Sequence, residues 1–280
     1  MEVPLFNIYR WIDTFKVIPN PQKLIDIYDW ISIILNTIPE YFRNRICTSN
    51  LFIEIPKPQE IRPGKYKIQD LLKLRQTDLL QYVFIAKQQA LKNPDYIPNK
   101  LVLTIEDDDV IENPVYEINP FLHEDIATCQ QPIILIFVGI IKIQGLKILS
   151  HHANALIIDK VKKTYELFDP YGKTRRSIDE WFNNDFREMA DLQDYTYLSP
   201  MILCPNLGPQ YIAEKPAPKS ERGYCMSYTF MYIQMRLANP ELSPQTVVEI
   251  LLSKSPQELR HYAILYNTVL HEYFNWPYRN

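Results

Sequence analysis

Two short apolar runs on either side of a basic turn constrain this chain most. His152-Ala-Asn-Ala-Leu-Ile-Ile-Asp159 is followed by Lys160-Val-Lys-Lys163, and then by Thr164-Tyr-Glu-Leu-Phe168 with Asp169 at its end. Length, β-branched and aromatic content and the intervening turn predict two antiparallel strands, over 154–159 and 164–168. In such a hairpin the outer ends lie side by side. The pattern therefore predicts that His152, at the mouth of one strand, neighbours Asp169, at the close of the next. A carboxylate so placed can accept a hydrogen bond from an imidazole and hold its tautomer. His151 competes for the same role, because alternation puts the two histidines on opposite faces and only one can serve.

A cysteine follows further along. Gly223-Tyr-Cys225-Met-Ser-Tyr-Thr-Phe-Met-Tyr-Ile233 reads as an apolar helix opening at Cys225 and ending near Leu237, before Asn239-Pro240. A helix N-terminus and a nearby imidazolium both favour the thiolate, which is the reactive form. Gln210, in Gly208-Pro-Gln210, lies 15 residues before Cys225. Its amide can donate to an oxyanion, together with N–H groups at the helix start. Buried free cysteine is also common as a small apolar residue, the reading given to Cys47, Cys129 and Cys204. The chain has six glycines against 22 prolines. Three of the six (Gly172, Gly208 and Gly223) stand within three residues of Asp169, Gln210 or Cys225.

Composition narrows the classes. A net charge of −3 gives no electrostatic case for nucleic acid or an anionic membrane. Four cysteines without paired spacing argue against a disulfide framework or a zinc site, so a reducing compartment is expected. Met1-Glu-Val-Pro4 lacks the basic-then-apolar pattern of a secretory leader, which makes the cytoplasm the expected location. The run Ile133 to Ile143 is about half the length of a membrane helix and is expected to be a buried strand. The acidic run Glu106-Asp-Asp-Asp109 lacks the alternating ligands of a calcium loop and reads as a solvated turn. No metal and no cofactor is expected.

Two regions are expected, 1–125 and 126–280. The first mixes helices over 21–46 and 68–91 with strands over 51–55 and 101–105. In the second, Ser177-Ile-Asp-Glu180 reads as a capping box opening a helix over 178–192. A strand is expected over 195–203, and Ser243-Pro244 and Ser255-Pro256 open two more helices.

The segment His152 to Asp169 resembles the ubiquitin-like-protein-specific cysteine proteases, the clan of SUMO and adenovirus-type proteases. That family carries His-Trp-x-Leu-x-x-Ile-Asp, a basic turn, and a strand ending in Asp-Ser. The 17-residue interval between His152 and Asp169 matches without a gap. Ala153 stands where the family has tryptophan, and Met226 where it has the glycine after cysteine. The spacing from Gln210 to Cys225 is about twice the family's. Asp169-Pro-Tyr-Gly172 with Gly223-Tyr-Cys225 resembles divergent members from large DNA viruses, which implies a host-cell or virion setting.

The resemblance implies an α+β chain with a papain-like cysteine protease fold: a central mixed sheet, a nucleophile helix, and an N-terminal extension that binds substrate or partner. It implies a thiol protease or isopeptidase with Cys225 as nucleophile, His152 as base, Asp169 as orienting acid and Gln210 as oxyanion donor. The substrate implied is a protein, either a ubiquitin-like modifier or a polyprotein cleaved after Gly-Gly or Gly-X. Three alternatives stay open: an acyltransferase of the same clan, for which Lys173-Thr-Arg-Arg176 is a basic candidate site, a protease fold used only for binding, and a structural virion protein.

Overall fold

Strand β4 (Lys147–Asp159) turns through Lys160–Lys163 into β5 (Thr164–Phe168), and the pair is antiparallel, Ala155 facing Phe168 and Asp159 facing Thr164. Lys163 takes a positive φ of 54° in the turn. Asp159 stabilises it by accepting the N–H groups of Val161 and Lys162 at 3.0 and 2.9 Å. These features belong to a computed structural model that describes residues 5–21, 37, 44–56, 115–116, 122–144, 147–172, 176–205, 207–218 and 222–274. The helices expected over 21–46 and 68–91 fall almost wholly outside these residues. The strand over 101–105, the acidic run 106–109 and the basic segment 173–175 fall outside them too.

The chain divides into two compact units that interleave in sequence. The first comprises Met1–Ser49, His123–Val138 and Ala153–Asn280, and the second Asn50–Leu122 and Gly139–His152. In the second unit, strand β1 (Ile46–Pro56) pairs antiparallel with β2 (Val115–Tyr116), Ile53 facing Tyr116.

The first unit holds, in this strand order, the Ile46–Ser49 part of β1, the Ile133–Val138 part of β3 (Ile133–Gln144), the Ala153–Asp159 part of β4, β5 and β6 (Thr196–Leu198). The β5–β6 pair is parallel, so the sheet is mixed. Its core residues are those the apolar runs pointed to: Ile134–Val138, Ala155–Ile158, Tyr165, Leu167 and Phe168 are all almost fully buried. The central helix Cys225–Ala238 is buried on every side from Cys225 to Leu237, as its lack of a polar face requires. Asn7, whose side chain accepts from the N–H groups of Tyr9 and Arg10, caps the helix Ile8–Asp13. Ser243 and Ser255 precede the helices Pro244–Leu251 and Pro256–Phe274, as expected from their Ser-Pro starts.

Four expectations are corrected. The strand expected over 195–203 stops at Leu198, because Ser199 caps a short helix, Pro200–Leu203, by accepting the Ile202 N–H. That is the same Ser-Pro signal that opens the later helices. Ser177 lies inside its helix, which spans Arg176–Trp181, widens into a π turn over Phe182–Phe186 and ends at Met189. The strand expected over 154–159 begins earlier, at Lys147. Cys47 and Cys129, read as free thiols, form a disulfide with Cα atoms 6.1 Å apart. The 82 residues between them hide the pairing in the sequence. It arises because β1 and β3 are neighbours, the Ile133 N–H meeting the Arg45 carbonyl at 3.4 Å. The cysteines therefore give no support to a reducing compartment. Among the described residues, no helix is long and apolar enough to cross a membrane.

Candidate active site

Cys225 is the first residue of its helix and is 4% exposed. Tyr224, at the N-cap position, contributes no side-chain cap, so no cap side chain takes the first-turn N–H groups. Positive potential at such an end favours an anion, whether thiolate or oxyanion. Gly223 takes a φ of +107°, a conformation a side chain would strain, and so turns the chain into the helix.

The helix is fixed in rotation by polar groups buried along it. Ser227 Oγ donates to Asn267 Oδ1 at 2.6 Å and Thr229 Oγ1 to the Ala153 carbonyl at 3.0 Å. Tyr232 and Arg236, one turn apart, both reach β5. The Tyr232 ring stacks on Phe168 at 3.9 Å and 5°, and its hydroxyl donates to Glu166 Oε1 at 2.8 Å. Arg236 grips the same carboxylate with Nε at 2.8 Å and Nη2 at 3.2 Å. The strand that delivers Asp169 and the helix that delivers Cys225 are thus locked in register.

Asp169 is buried at the end of β5. Its Oδ1 accepts the Tyr171 N–H and its carbonyl accepts the Gly172 N–H, both at 2.8 Å, forming a tight Asx turn. That turn is bonded in series to the next segment: Gly208 N–H to the Tyr171 carbonyl and Gln210 N–H to the Pro170 carbonyl, both 2.9 Å. Gln210, near the start of the helix Pro209–Glu214, is 1% exposed. Its Nε2 donates to Glu214 Oε2 at 3.0 Å, while its Oε1 has no hydrogen-bond partner among the described residues. A buried acceptor left without a partner costs ~1–3 kcal/mol.

The first unit therefore brings Asp169, Gln210 and Cys225 together. Burial raises the Tyr171 hydroxyl's pKa most, and Glu214, Cys225 and Asp169 lie near enough to add to the rise. His152 lies on β4 three residues before Ala155, half-buried, and is the last residue of the second unit. His151 beside it is also half-buried. Cys204 sits differently: burial first, and then Asp169, push its thiol up to about 12, which keeps it protonated and unreactive near neutral pH.

No family model and no curated protein matches the chain. Among solved structures it is similar to one described as the 1.7 Å structure of ChlaDub1 from Chlamydia trachomatis. The TM-score is 0.40 and the identity 8%, over 94% of this chain and 100% of that one.

Sequence reasoning missed Glu214, buried to 2% exposure beneath the cysteine turn, and Arg222. Arg222 Nε and Nη2 donate to the Ala217 carbonyl at 3.0 and 2.7 Å, and Nη2 to the Lys215 carbonyl at 3.1 Å. Glu214 accepts from Gly223 and Tyr224. Glu214 thereby ties Gln210 to the two residues that precede Cys225, despite the 15-residue interval. The one available sequence signal was the i, i+4 spacing of Gln210 and Glu214.

Proposed function

We propose that the chain is a thiol hydrolase of peptide or isopeptide bonds, built on a papain-like arrangement of nucleophile helix and sheet. Cys225 is the nucleophile, His152 the base, Asp169 the residue that orients it, and Gln210 with the Cys225 N–H the oxyanion donors. His152 takes the proton from Sγ, and the sulfur attacks the carbonyl carbon. The tetrahedral oxyanion is held by the two N–H donors, and its collapse expels the amine, which takes the proton from His152. Water, deprotonated by His152, then cleaves the thioester and regenerates the thiol.

The observation that carries this reading is the uncapped start of the Cys225 helix, with the Gln210 amide and the Asp169 turn bonded into the same unit. The substrate class follows the resemblance of the His152–Asp169 segment: a protein, cleaved after Gly-Gly or Gly-X, with residues 1–125 supplying part of the recognition.

The test is hydrolysis of a fluorogenic peptide ending in Gly-Gly. Cys225→Ser and His152→Ala lower kcat/KM by at least about a thousandfold, in line with the loss of a nucleophile or its base. His151→Ala keeps activity. Unchanged cleavage in Cys225→Ser removes the thiol from the mechanism.

A further inference from the structure

Glu214 takes no part in the steps above, yet its carboxylate lies where they converge. Its Oε1 accepts the Tyr224 N–H at 2.9 Å. Its Oε2 accepts the Gly223 N–H and the Gln210 Nε2, both at 3.0 Å. The two residues leading into Cys225 and the amide of Gln210 therefore hang on one buried group. No solvent competes for it, since Glu214 is 2% exposed.

We infer that Glu214 is the positioning residue that fixes the Gln210 amide and the Cys225 turn relative to each other, and so sets the oxyanion site. This rests on the thiol-hydrolase reading. A carboxylate offers only acceptors, so an adjacent amide must turn its Nε2 toward it and its Oε1 away. Glu214 thereby fixes which end of Gln210 faces the carboxylate and leaves the second N–H of Nε2 to donate elsewhere. It also consumes the Gly223 and Tyr224 N–H groups. The next main-chain donor left for an oxyanion is that of Cys225 itself. The arrangement further accounts for the 15-residue interval, because the carboxylate and the Arg222 clamp bring Gln210 and Cys225 close regardless of the loop between them.

Glu214→Gln tests it. The variant keeps the shape but replaces one acceptor by an NH2, which faces at least one of the three donors. In the folded variant, turnover of the Gly-Gly fluorogenic peptide falls at least about tenfold, chiefly in kcat. Alkylation of Cys225 by iodoacetamide, which forms no oxyanion, stays within about threefold of wild type. A parallel fall in both rates overturns the inference, as does turnover within about twofold of wild type. Should Glu214→Gln not fold, amide hydrogen exchange on the wild-type chain reads the same contacts. Gly223 is exposed, and its N–H is expected to exchange at least about tenfold slower than in a free peptide. Exchange at the free rate sinks the inference. Wild-type cleavage that survives in Cys225→Ser sinks instead the reading beneath it. Cleavage lost in Cys225→Ser but kept in Glu214→Gln sinks this inference alone.

Discussion

Gly172 and Gly208 pass each other main chain to main chain: a methyl on Gly172 would lie 2.1 Å from the Gly208 nitrogen, and one on Gly208 2.3 Å from the Gly172 nitrogen. The obstructing atoms are backbone, so neither loop can yield by a rotamer change. This crossing seats the Asp169 turn against the Gln210 helix.

Gly208→Ala therefore separates the two loops. The expected result is a stability loss of about 1–3 kcal/mol, as for other overpacked sites, with peptide turnover falling by more than stability explains. Urea unfolding beside kcat at a temperature where the variant is folded checks both. Gly172→Ala is expected to be worse, since its φ of +86° adds strain to the clash.

The ion pair of Arg236 and Glu166 is buried, at 5% and 1% side-chain exposure. Arg236→Met leaves the carboxylate with the Tyr232 hydroxyl as its remaining described partner and is expected to cost about 3–5 kcal/mol. The double variant Arg236→Met, Glu166→Leu is expected to recover most of that, because no charge is then left unpaired. Denaturation midpoints of the three proteins decide the matter. Equal losses in single and double variants would refute it.

Alkaline pH is expected to weaken the fold. Burial holds Cys204 at about 12 against an ordinary 9.0, and Tyr165 at about 12 against 10.0. Burial raises Tyr9 and Tyr232 as well. Each such group keeps its proton in the folded chain after the unfolded chain has lost it. Its contribution is whole below the unfolded pKa and is lost as pH rises from there toward the folded one. Between pH 9 and 12 Cys204 alone is expected to take away about 1.4 kcal/mol per pH unit. Cys204→Ala should flatten the stability profile by that amount from pH 9 upward. An unchanged slope would show that this thiol does not titrate as described.

The Cys47–Cys129 disulfide closes a long loop, and its loss is expected to cost about 2–5 kcal/mol. Thiol titration in denaturant should find two reactive thiols, Cys204 and Cys225, before reduction, and all four after it. Four before reduction would mean the pair does not form.

Much of the frame was legible in the sequence. The strand expected over 164–168 is Thr164–Phe168, and the helix expected from Cys225 runs Cys225–Ala238. Ser-Pro pairs open the helices at Pro244 and Pro256. These are local statements: periodicity, a cap and a proline act within one or two turns of chain. The same signal at Ser199-Pro200 was legible too, but the strand-like residues before it masked it.

What tertiary structure alone decided is everything that joins distant segments. Cys47 meets Cys129, Gly172 passes Gly208, Arg236 finds Glu166, and Glu214 gathers Gly223 and Tyr224. None of these pairings has a local signature, since a buried carboxylate and an exposed one are spelled alike. Burial, where water no longer competes for each N–H and charge, gives these partners their energetic consequence, and only the folded chain determines which groups are buried together.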